Sequence, residues 1–103
     1  MIYSEDGEDV FVTKTVYNRE TGLPRRQQTT LNGLRHSPPD GSPSEIRFDD
    51  EGRLYQLVWH AFDLEHRTDG PARVLLHLGT DVPQTETFKV NGQPRSPELG
   101  PYR

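Results

Sequence analysis

The residues of this chain best suited to chemistry are its four histidines, His36, His60, His66 and His77. His60, His66 and His77, with a carboxylate such as Asp63 or Asp69, are a set from which a metal site could be drawn. Structural and catalytic zinc sites announce themselves by tighter ligand spacing or by cysteine, and this chain has no cysteine. No metal or cofactor is expected. A nucleophile–base pair would need a serine held against a histidine. No Gly-x-Ser-x-Gly elbow occurs, and nothing in the sequence places a serine that way. Asp49, Asp50 and Glu51 are adjacent carboxylates, but they sit in what reads as a hairpin turn, without the cleft that would set their acidities apart. No Gly-rich phosphate loop precedes a helix. The chain is expected to have no catalytic residues and not to be an enzyme.

Arginine is the other chemically suggestive type. Arg19, Arg25, Arg26 and Arg35 crowd one segment, while Glu5, Asp6, Glu8 and Asp9 crowd the start. One reading is two solvated loops that partly neutralise each other. The other is a patch for phosphate, with nucleic-acid or nucleotide binding through the segment Arg19 to Arg35. The formal net charge of −4 and the lack of a dense basic stripe weigh against the second.

The elements that must position these groups are read from composition and periodicity. The chain has 103 residues, of which 30% are apolar, with nine glycines and nine prolines. Leu, Ile, Val and Phe make up about 22% of it, just above the level of roughly 20% below which charged chains default to disorder. A single domain spanning residues 1–103 with a thin core is the expectation. No run of apolar residues is long enough to cross a membrane as a helix, and the acidic start does not read as a signal peptide. The absence of cysteine fits a reducing cytoplasm or simple indifference to redox. Few helix formers and many Thr, Val and aromatic residues favour strands.

Strands are predicted at Val10 to Tyr17, Arg26 to Leu31, Ser44 to Phe48, Arg53 to Phe62, Ala72 to Leu78 and Thr85 to Val90. Turns lie between them, several of them Asn-Gly or Asp-Gly. The segment Arg53 to Phe62 reads as the longest strand. Alternation puts Leu54, Gln56, Val58, His60 and Phe62 on one face and Tyr55, Leu57, Trp59 and Ala61 on the other. Both faces are then substantially apolar, so one of them is either covered core or a contact surface.

A period near 30 runs through the chain. Leu31-Asn32-Gly33-Leu34-Arg35-His36 is followed by Asp40-Gly41. Ala61-Phe62-Asp63-Leu64-Glu65-His66 is followed by Asp69-Gly70-Pro71. Val90-Asn91-Gly92-Gln93-Pro94-Arg95 is followed by Leu99-Gly100-Pro101. The units span approximately 10–30, 31–60 and 61–89, with a partial unit at 90–103. In each corner Asp can bond its own backbone, Gly is read as supplying an unusual dihedral, and Pro fixes φ. The residues His36, His66, Asp69, Gly70 and Pro71 are read as structural corner residues, the rings donating to a carbonyl of the adjoining hairpin. Short hairpin units cannot bury an apolar face alone, so they should pair edge to edge.

The stretch Glu65-His66-Arg67-Thr68-Asp69-Gly70-Pro71-Ala72 resembles the NGxxHRxDGPA repeat of small proteins common in bacteriophages, and is similar to MORN repeats. The resemblance covers roughly residues 29 to 103, with Phe62-Asp63 in place of Asn-Gly and Arg95 in place of His. It implies a β-hairpin repeat fold, a phage or mobile-element source, and a binding role with no general activity.

The expected architecture is all-β: a twisted antiparallel meander of about six strands built from hairpin repeats of about 30 residues. The expected function is a non-catalytic protein-binding module, phage-encoded, that binds and so inhibits a host protein in the cytoplasm, or self-associates as a homodimer. Its contact residues are expected to be Tyr55, Leu57 and Trp59, with Arg35 and Arg73 at the rim.

Overall fold

Turn chemistry and β propensity together lay the chain out as successive antiparallel hairpins. The computed structural model describes residues 10–78 and 80–94; the acidic start, Arg95 and Leu99 to Tyr102 lie outside the described residues. The strands are β1 (Phe11–Tyr17), β2 (Pro24–Leu31), β3 (Leu34–Arg35), β4 (Glu45–Phe48), β5 (Leu54–Val58), β6 (His60–Ala61), β7 (Leu64–Glu65), β8 (Arg73–Leu76), β9 (Pro83–Thr87), β10 (Lys89–Val90) and β11 (Gln93–Pro94). No helix occurs among the described residues, and none is long and apolar enough to cross a membrane. The main sheet is an antiparallel meander in the order β1-β2-β4-β5-β8-β9. Small ribbons project beyond it: β3 folds back on β2, β6 pairs with β7, and β10 pairs with β11.

Three segments of the chain are built alike, at offsets of 30 and then 29 residues. First, each main hairpin has a backbone bond across its turn, from Asn18 N to Leu23 O (2.7 Å), Asp49 N to Arg53 O (2.8 Å) and His77 N to Val82 O (2.9 Å), the acceptors keeping those offsets while the donors differ by one residue. Second, each returning strand carries one extra residue: Arg25 in β2, Tyr55 in β5 and Gln84 in β9, where the register skips. Third, each ribbon turns at two residues with positive φ: Asn32 (50°) and Gly33 (91°), Phe62 (48°) and Asp63 (74°), Asn91 (51°) and Gly92 (80°). Positive φ at both central residues is the type I′ geometry that matches strand twist.

The β-bulge at Tyr55 corrects the facing read from the sequence. Residues three apart on a regular strand face opposite sides. The extra residue pairs Leu54 with Phe48 and Leu57 with Ile46, and those partners share a face. Leu54 and Leu57 therefore both pack against the buried cluster of Trp59, Val74 and Leu76. The segment Arg53 to Phe62 is also not one strand. It breaks at Trp59, and Phe62 is a turn residue. The apparent excess of apolar side chains is thus core at Leu54, Leu57 and Trp59, a turn at Phe62, and on the opposite face the fully buried Val58.

The Asp-Gly corners clamp that core. The Trp59 indole N–H donates to Gly41 O at 2.9 Å, and the Arg67 guanidinium lies 3.9 Å above the ring. Arg67 is held there by Asp69 Oδ1 (3.0 Å) and Pro71 O (3.3 Å). Gly70 is not at positive φ, which corrects the dihedral reading at this corner. A Cβ there would meet Arg67 Cζ at 2.9 Å, so a larger residue would have to push aside the far end of that flexible side chain.

Phe62 holds a left-handed conformation that non-glycine residues other than Asn and Asp rarely take. Its ring is 63% exposed and packs edge-on to His36 at 4.7 Å. Phe62→Asn is expected to stabilise the fold by roughly 0.5–1 kcal/mol, the relief of backbone strain exceeding the lost ring contact. Urea unfolding of the two proteins checks this, and a less stable variant would contradict it.

Candidate functional site

The groups that could do chemistry are mostly committed to holding the fold. A type I′ turn leaves the N–H groups of its two central residues without a partner inside the turn, and each must find an acceptor. Here the preceding ribbon supplies both. Phe62 N donates to His36 Nδ1 (3.0 Å) and Asp63 N to Arg35 O (2.8 Å). One unit on, Asn91 N donates to His66 Nδ1 (2.9 Å) and Gly92 N to Glu65 O (2.8 Å). At Nδ1 both corner rings accept an N–H, which requires that nitrogen to be unprotonated.

His60 is 4% exposed and its Nδ1 lies 2.6 Å from the hydroxyl of Ser44, itself 1% exposed. The fold thus brings a serine and a histidine together that no sequence motif announced. The Ser44 hydroxyl is also 3.1 Å from Val58 O, and both side chains are sealed from substrate, so the pair ties β6 to the entry of β4. Burial pushes the His60 pKa below its usual 6.5, with the Arg35 charge adding to it. Among the described residues no three His, Asp or Glu side chains group as metal ligands.

The expected contact residues separate. Trp59 is 8% exposed and belongs to the core, and Leu57 is half-buried against it. Those two are withdrawn from the surface. Arg35 bonds Asp63 at 2.6 Å, which holds that carboxyl below its usual range. Arg73 grips Glu65 through two bonds of 3.1 and 3.0 Å, with Lys89 Nζ at 3.5 Å. Burial pushes Glu65 upward, but these cations outweigh it and leave it below 4.5. Both arginines are therefore staples between segments. Of the five, Arg35 and Arg73 keep partly exposed side chains that are already paired, and Tyr55 is half-buried beside other arginines.

Those neighbours define the candidate site. Val16, Arg25, Arg26, Arg47, Phe48 and Tyr55 line an open depression of about 300 Å³. The register sets Val16, Arg26, Arg47 and Gln56 side by side across four strands. The bulges add Arg25 and Tyr55 to the same neighbourhood. Arg47 donates from Nε to Glu45 Oε2 (3.0 Å) and also bonds the Tyr55 hydroxyl; these contacts, the Glu45 bond most, raise its pKa further. Burial pushes Glu45 upward, but its bonds to Arg47 and Gln28 leave it below 4.5. Arg25 and Arg26 are exposed, and their side chains have no hydrogen-bond or ion-pair partner among the described residues. Like charges directly opposite, as at Arg26 and Arg47, destabilise a sheet. Arg19 does not line this depression but an adjoining one that shares Arg25 and holds Glu20 and Asp50. Sequence reading found Arg25 and Arg26 but missed Arg47. The period relates Arg25 to Tyr55, 30 residues on, but carries no signal for Arg47, which only the β2–β4 register brings there. No protein-family profile, curated protein or solved structure matches this chain.

Proposed function

We propose that the protein is a non-catalytic binding module of the MORN-like hairpin-repeat kind, phage-encoded, that covers part of a host protein in the cytoplasm and so inhibits it. The observation that carries the binding role is the Arg25, Arg26, Arg47 and Tyr55 surface, where two arginines stay unpaired beside a third although acidic residues lie nearby. A local arrangement that costs stability and is not compensated within the fold is the expected mark of a working surface. The resemblance to phage repeats and the recurrence of the same bonds at 30 and 29 residues support the repeat reading. The commitment of His36, His60 and His66 to structural bonds fits a scaffold that presents a surface.

The test is capture from lysate with the intact chain and with Arg25→Glu/Arg26→Glu. A partner retained by the first and lost by the second, with both proteins folded, is the expected result. A partner retained equally by both overturns this surface. The solution mass checks the homodimer form of the reading: a dimer that the double variant dissociates makes a second copy the partner. The nucleic-acid or nucleotide reading through the Arg19 to Arg35 segment keeps only Arg25 and Arg26, since Arg35 is bound to Asp63. Binding of that kind would weaken steeply with salt.

A further inference from the structure

We propose that the Arg25, Arg26, Arg47 and Tyr55 depression docks a phosphate monoester carried on a side chain of the partner protein. The inference rests on the binding-module reading above and deepens it. The charge balance comes first. Arg47 is compensated by Glu45 at 3.0 Å, whereas Arg25 and Arg26 are uncompensated among the described residues. The site therefore carries two net positive charges, which match the dianion of a phosphate monoester better than a single carboxylate. Geometry comes second. Guanidinium forks bind phosphate oxygens bidentately, and two adjacent forks beside a tyrosine hydroxyl offer more donors than a carboxylate can accept. Val16, Phe48 and Tyr55 supply apolar lining beside the arginines for the group that carries the ester.

A continuous nucleic-acid backbone fits less well. The depressions next to this one, which also include Arg25, are lined by Glu20 and Asp50 and by Asp49 and Asp50. A chain of diesters leaving the site would pass these carboxylates and meet a molecule of net charge −4. One ester held at the arginines needs no path along these carboxylates.

The experiment titrates the intact, ¹⁵N-labelled protein with phenyl phosphate, and separately with an oligothymidylate lacking terminal phosphates, at low ionic strength. The expected result is saturable shifts of amides in residues 25–27, 46–48 and 54–57 with phenyl phosphate. Arg25→Ala/Arg26→Ala should weaken that binding at least tenfold, and Arg19→Ala should leave it unchanged. Because Arg25 and Arg26 have no partner to lose, the double variant should melt no lower than the parent, which separates lost binding from lost folding. Absence of saturable shifts, equal affinity in the double variant, or tighter binding of the oligothymidylate at the same amides would each overturn the proposal. If phenyl phosphate fails while partner capture still depends on Arg25 and Arg26, the phosphate assignment falls and the binding module stands.

Discussion

Replacing Trp59 with alanine is expected to remove about 3–5 kcal/mol of stability. Domains of this size have only about 5–15 kcal/mol in total. The size of the effect follows from how much of the fold meets at this ring. Trp59 packs with Val74, Leu76, Leu54 and Leu57, and it is covered from two different corners. Gly41 O accepts its indole N–H from one side and Arg67 stacks on it from the other. Alanine leaves a cavity in a thin core, strips a carbonyl of its donor and releases Arg67 together. At about 4–8 °C per kcal/mol for a domain near this size, the melting point should fall by more than about 12 °C. Trp59→Phe, which keeps a ring but not the donor, should fall less. Thermal melts followed by circular dichroism decide it: a loss below about 1 kcal/mol for alanine would show that Trp59 does not organise the core.

The second large effect is at the buried Ser44–His60 pair. Ser44→Ala is expected to cost about 1–3 kcal/mol, because the imidazole nitrogen it leaves behind is buried without a partner. The same burial couples stability to pH. His60 has a folded-state pKa below its ordinary 6.5, so the unfolded chain binds the proton more readily than the native one. The contribution of His60 is therefore fully present above pH 6.5 and is lost as the pH falls through its folded value. A second decline follows at lower pH, below the usual 4.5 of Glu45 and Glu65, whose folded pKa values are also depressed. Urea unfolding at about pH 7.5 and about pH 5.5 should show lower stability at the acidic end. The His60 ring resonances should titrate below 6.5 in the native protein. Titration above that value, or greater stability at about pH 5.5, would refute the account.

These two effects sit at places that the sequence describes unequally. Trp59 was visible as a buried-or-contact residue on a doubly apolar strand. The choice between the two depended on the bulge at Tyr55, and a bulge is a property of how β5 pairs with β4, not of β5 alone. Ser44 and His60 are 16 residues apart in different segments, and only the stacking of β6 beside the entry of β4 joins them. The arginine site has the same character. Arg25 and Arg26 stand out as neighbours in the chain, whereas Arg47 reaches them only through the β2–β4 register.

What the sequence by itself determined is the local grammar of this protein. Positive-φ residues at Asn32-Gly33 and Asn91-Gly92, β-branched and aromatic runs, and corners at a period near 30 dictate hairpins and their order, because turn dihedrals and strand propensity act over a few residues. Only the tertiary structure decided which hairpin donors meet which histidines, which side of the bulged strands faces the core, and which arginines are left unpaired. Those outcomes depend on register and on single extra residues, each of which turns a side chain toward the other face.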